Sequence, residues 1–98
     1  MQEKIIQNQI IDYLRYKGIF FYRNNSGAFK RDEHFYRFGA PGSPDIICVI
    51  NGQYVGIEVK GDKYGKQSKY QKRFEEDLIR AGGKYILAKS VEDVIKNI

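Results

Sequence analysis

The sequence predicts an α/β domain in which helices cover both faces of a sheet, and three observations lead there. Residues 45–50 and 53–60 are apolar runs joined by Asn51-Gly52, and both faces of the resulting hairpin are largely apolar, as in central strands covered on each side. Two stretches, 3–17 and 70–81, carry apolar residues at helical spacing. A further β-rich run over residues 84–88 follows the second of them. The predicted order is α, β, β, β, α, β, α.

In the first stretch Ile6, Ile10, Tyr13 and Leu14 share one face, and Gly18 is a natural stop. Glu3 lies on that face one turn before Ile6 and Gln7, so its carboxylate can reach the end of whatever the helix packs upon. Residues 19–22 read as the first strand, and Asn24, Asn25, Ser26 and Gly27 form a polar break. Residues 28–43 have no clear period, with Phe29, Phe35, Tyr36 and Phe38 interleaved with Lys30, Arg31, His34 and Arg37. They read as an extended excursion or short hairpin ending in Gly39-Ala40-Pro41-Gly42-Ser43-Pro44, where Pro44 forces Ser43 toward an extended backbone.

Asn51-Gly52 between apolar runs signals a type I′ turn, because both central residues need positive φ. Counting outward, Ile50 faces Gln53, Ile46 faces Ile57 and Asp45 faces Glu58. After a loop at 61–67, Tyr70, Phe74, Leu78 and Ala81 give the second helix, which stops at Gly82-Gly83. Ser90 caps a final helix carrying Val91, Val94 and Ile95.

A chain of 98 residues is expected to form one domain over 1–98, with a single modest core that self-association would support. No apolar run approaches the roughly 20 residues of a membrane span. The first residues lack a basic region followed by an apolar stretch, so the expected location is cytoplasmic. The single cysteine, Cys48, excludes an internal disulfide and a multi-cysteine zinc site and reads as an inert core thiol. The net charge is +5, and Lys60, Lys63, Lys66, Lys69, Lys72 and Arg73 crowd one stretch, which points to an anionic polymer as partner. A solvated lysine-rich face would look the same.

Opposed carboxylates repel across a strand pair unless a cation joins them. Asp45 and Glu58 are hard oxygen ligands suited to Mg²⁺ or Mn²⁺, with substrate phosphate and water completing the shell. The Val59 carbonyl is a further hard donor. Lys60, two residues after Glu58 and on the same face, is placed to orient a water or to stabilise charge on a phosphate. A bland alternative stands beside this: solvated acids at strand ends, with Lys60 pairing Glu58.

Ser43-Pro44-Asp45, twelve intervening residues and Glu58-Val59-Lys60 resemble the PD-(D/E)XK nuclease signature in its E-x-K form. With Glu3, Arg23-Asn24-Asn25-Ser26-Gly27, Gly39-Ala40-Pro41-Gly42, Ile57 to Gly61 and Gln71, nearly the whole chain resembles a virus-type replication-repair nuclease (VRR-NUC) domain. The resemblance implies a mixed sheet flanked by helices on a restriction-endonuclease-like core, Mg²⁺ or Mn²⁺ dependence and phosphodiester cleavage. It implies Asp45 and Glu58 as ligands, Lys60 as the catalytic lysine, Glu3 as a further ligand or supporting acid, and Gln71 as support for the site.

Several residues keep two readings. Ser68-Lys69-Tyr70-Gln71 also fits a capping box, and Glu3 also suits a helix start. Asn24 and Ser26 either contact phosphate or build a turn. His34 reads as a surface or DNA-contacting residue without a catalytic role, and Arg37, Lys63, Lys66 and Lys69 as phosphate contacts. The expectation is a metal-dependent DNA endonuclease, structure-selective on branched DNA such as a Holliday junction, in phage or bacterial replication and repair. It would act as a homodimer, since symmetric incision of a junction needs two sites. No membrane and no small-molecule cofactor is expected. The alternatives are a nuclease for flaps, nicks or single strands, and a binding module that does not cut.

Overall fold

The computed structural model describes residues 2–24, 27–61 and 65–98. The elements are α1 (Glu3–Tyr16), β1 (Phe20–Arg23), β2 (Gly27–Arg31), β3 (His34–Phe38), β4 (Ile46–Ile50), β5 (Gln53–Val59), α2 (Lys69–Arg80), β6 (Lys84–Ala88) and α3 (Val91–Asn97). Strands β1, β4, β5 and β6 form one sheet in that order, antiparallel except for the parallel β5–β6 pair. A mixed sheet follows from the connections: a two-residue turn joins β4 to β5, whereas α2 supplies the crossover that a parallel neighbour needs.

Without residues 27–38 the order is the expected α, β, β, β, α, β, α. Those residues resolve the open choice in favour of a hairpin, because among the described residues β2 and β3 pair only with each other, in a separate two-stranded sheet. Asp32 and Glu33 turn this arm at φ 51° and 66°. Phe35 at its tip end is 75% exposed.

The core lies on one face of the main sheet. Ile6, Ile10, Ile11 and Leu14 of α1 and Val94 of α3 pack with Ile46, Cys48, Val55, Ile57, Val59, Ile86 and Ala88. Fully burying one such side chain contributes about 1.5–3 kcal/mol. Cys48 is buried and free, and burial pushes its thiol up to about 11, as expected of an inert core cysteine.

The opposite face carries α2, which lies shallowly. Phe74 and Leu78 are half-buried, Tyr70 and Ala81 exposed, and no residue of α2 is fully buried. Ser68 caps this helix through the predicted capping box. Ser90 holds the N-cap position of α3 but makes no side-chain cap bond; Asp93 Oδ2 instead accepts from the Lys89 N–H. Phe20 lies opposite Val49 across β1 and β4, both exposed. No helix among the described residues is long and apolar enough to cross a membrane.

Candidate metal centre

Asn51 and Gly52 adopt φ of 51° and 81°, the pair of positive values that a type I′ turn needs. The register follows as counted, from Ile50↔Gln53 to Ile46↔Ile57. One step further the ladder ends. Asp45 lies just before β4, and its Oδ2 accepts the Val59 backbone N–H at 2.8 Å. Pro44, fully buried, sets this end: its Cγ would stand 2.5 Å from a Cβ at position 56, so only glycine fits there.

Glu58 is the one buried charged residue among those described, at 3% exposure. Gln71 Nε2 donates to its Oε1 at 3.0 Å, while Oε2 is buried with no hydrogen-bond partner. Burial, first, pushes the Glu58 carboxyl up to about 8, and the Asp45 charge adds to this. Lys60 opposes the rise; a hydrogen bond to Asp45, open to a protonated acid, and the Glu3 charge reinforce it.

Gln71 makes both kinds of contact at once. Its Oε1 accepts the Ser68 N–H at 2.8 Å and closes the capping box, while Nε2 holds Glu58. Gly42 brings the start of α2 close, since a Cβ there would lie 2.2 Å from the Tyr70 carbonyl oxygen.

Glu3, exposed at the start of α1, joins Lys4, Gln7, Asp45 and Val59 around a cleft of about 330 Å³. Lys4 and Gln7 were not singled out in the sequence, although they flank Glu3 on the same helix end. Gln7 Oε1 accepts from Arg23 Nη2 at 3.0 Å. Asn24 turns its side chain inward, donating to Ser43 Oγ at 2.8 Å and to the Pro44 carbonyl at 2.9 Å. Lys66 is exposed, and Lys69 Nζ sits 5.5 Å from the Tyr70 ring centre. His34 is exposed on the arm, edge-on to Tyr36 at 6.4 Å. Ser26, Lys63 and the side chain of Arg37 lie outside the described residues.

Among the described residues no three or more His, Cys, Asp or Glu side chains form a metal-holding group. An Asp45–Glu58 pair without a third protein acid still fits Mg²⁺ or Mn²⁺, because Mg²⁺ is typically held by one or two carboxylates plus water and phosphate. The partnerless Glu58 Oε2 is the observation that favours the fit. A buried carboxylate oxygen without a donor is costly unless a proton or cation meets it.

No family model matches the sequence, and no curated protein matches it. A solved structure described as a VRR_NUC domain matches with a TM-score of 0.70 at 20% identity, over 96% of this chain and 90% of that one. With its mixed sheet, its flanking helices and Asp45 and Glu58 brought to one strand end, the chain has the fold of a VRR_NUC domain.

Proposed function

We propose that the protein is a divalent-metal-dependent DNA nuclease that hydrolyses phosphodiester bonds with Asp45, Glu58 and Lys60. The observation that carries this reading is the Glu58 carboxylate, buried beside Asp45 with one oxygen held by Gln71 and the other without a donor. Mg²⁺ or Mn²⁺ would be held by Asp45 and Glu58, with the Val59 carbonyl as a further oxygen donor and Glu3, which lines the same cleft as Asp45 and Val59, as a supporting acid. When bound, such an ion supplies positive charge to the scissile phosphate and makes a water acidic enough to deprotonate near neutral pH.

The chain's own groups do the rest. Gln71 fixes Glu58 Oε1 and so aims Oε2, and the Val59 N–H fixes Asp45 Oδ2. Lys60, close enough to Glu58 to lower its pKa, supplies an ammonium that orients the attacking water or stabilises charge on the phosphate. Lys66 and Lys69 are exposed for backbone contacts, which favour DNA without reading its sequence.

The preferred substrate in this proposal is branched DNA, as in replication and repair, cut by a homodimer in the cytoplasm. The arm supports it as an element that grips a branch or a second copy, and the exposed Phe20 and Val49 beside the open edge of β1 support self-association. The test is incubation of labelled four-way, flap and linear DNA with Mg²⁺ or Mn²⁺, using wild type and Asp45→Ala. Cutting by the wild type alone is expected; binding without cutting by the wild type refutes the nuclease reading.

A further inference from the structure

The β4–β5 ladder stops one rung short of where a regular continuation would carry it. The Asp45 carbonyl accepts the Asn24 N–H at 2.8 Å, so it turns toward β1. Carbonyls alternate along a strand, so those of Pro44 and Ile46 belong on the β5 side. Continued regularly, the register that pairs Ile46 with Ile57 would place Pro44 opposite Val59. A regular next rung would therefore run from the Val59 N–H to the Pro44 carbonyl.

That rung is absent. The Pro44 carbonyl is taken at 2.9 Å by Asn24 Nδ2, and the Val59 N–H goes at 2.8 Å to Asp45 Oδ2. The second hydrogen of the same amide goes to Ser43 Oγ at 2.8 Å. Three consecutive residues, Ser43, Pro44 and Asp45, are thus held by one asparagine. Proline makes the rung easy to give up, because without an N–H it offers no reciprocal bond.

We propose that Asn24 is a positioning residue: by capturing the Pro44 carbonyl it ends the β4–β5 ladder at Ile46 and leaves the Val59 N–H to anchor the Asp45 carboxylate. Asparagine suits the task because its amide has two donors for two oxygen acceptors, whereas aspartate of the same shape offers only acceptors. The inference deepens the proposed nuclease site, and only its consequence for metal affinity rests on that reading. It also gives Asn24 a role other than phosphate contact, since both amide hydrogens are engaged within the chain. Because Asn24 and Ser43 flank the β2–β3 arm, their bond also ties its two feet together.

The test detects the hydrogen bonds themselves. Through-bond NMR coupling from the Val59 amide nitrogen should reach the Asp45 side-chain carboxyl carbon in the wild type. In Asn24→Ala that coupling should vanish and be replaced by one to the Pro44 carbonyl carbon. Manganese titration, followed by the electron paramagnetic resonance of free Mn²⁺, should show affinity about ten- to a hundredfold weaker in Asn24→Ala, the usual effect of removing a group that orients a ligand. Ser43→Ala, which leaves the Pro44 bond intact, should keep the wild-type coupling and bind Mn²⁺ within about twofold of wild type, because the hydroxyl touches neither the Pro44 carbonyl nor the Asp45 carboxylate.

The proposal is overturned if Asn24→Ala keeps the Asp45 coupling, or if Ser43→Ala loses it. The second variant decides the matter should the first not fold. Absence of Mn²⁺ binding by the wild type would count against the nuclease reading and leave the NMR result to judge Asn24 alone.

Discussion

Replacing Glu58 with glutamine should make the metal-free protein more stable while removing its capacity for metal. Glutamine keeps an oxygen for Gln71 Nε2 and turns an amide toward Asp45, so shape and hydrogen bonds survive and only the charge is lost. The Glu58 carboxyl is pushed from 4.5 up to about 8, by burial first and then by Asp45. Because the folded-state value lies above the unfolded one, the stability linked to this proton is complete below pH 4.5 and is lost as pH rises through about 8. By about pH 7.5 some 3 pH units have been crossed, which at about 1.36 kcal/mol each is on the order of 4 kcal/mol. Glutamine does not titrate and should escape that loss.

Urea unfolding in EDTA measures it. With an m-value of roughly 1.5 kcal/mol per molar, the midpoint of Glu58→Gln should exceed that of wild type by about 2–3 M near pH 7.5 and match it near pH 4. Adding Mn²⁺ near pH 7.5 should raise the wild-type midpoint and leave the variant unmoved. A variant no more stable than wild type near pH 7.5, or a gap of equal size at both pH values, would refute the reasoning that a buried, unsatisfied charge is held for a cation.

Three further changes probe the surrounding parts. Gln71→Glu retains a capping-box acceptor but sets a negative charge against Glu58, so near pH 7.5 it should weaken Mn²⁺-supported cleavage by at least about tenfold while circular dichroism still reports the wild-type helix content. Gly42→Ala meets both a φ of +76° and the Tyr70 carbonyl, and calorimetry should show destabilisation of about 2 kcal/mol or more; a neutral result would contradict the close approach of α2. Lys60→Gln should reduce cleavage by about a hundredfold or more with Mn²⁺ affinity and thermal midpoint little changed, and equal loss of metal binding would assign Lys60 a different role.

Much of the centre was legible because it is local. Asn51-Gly52 dictates a turn whose type fixes register, and register alone carried Asp45 toward Glu58. The same logic gave α1, since Ile6, Ile10 and Leu14 face one way. What stayed hidden depends on partners distant in sequence. The arm shows no period: among the described residues its strands pair only with each other, and its described side chains, Lys30 to Tyr36, are exposed, so no buried face imposes alternation there. Capping and support of Glu58 looked like rivals for Gln71, yet an amide has both an acceptor and donors, and α2 approaches the sheet closely enough to use both. From sequence Asn24 suits a turn or a phosphate contact, because nothing local reveals that its amide meets Ser43 and Pro44 across the arm. Ser90 misled in a smaller way, since the residue at a cap position need not supply the bond.

Anomalous diffraction from crystals soaked in Mn²⁺ would show whether the opposed acids form a metal centre. The expected result is a manganese peak bonded to Asp45 and to Glu58 Oε2 that disappears in Glu58→Gln. A well-ordered site without a peak, or manganese bound only at other surface acids such as Asp77, would contradict it.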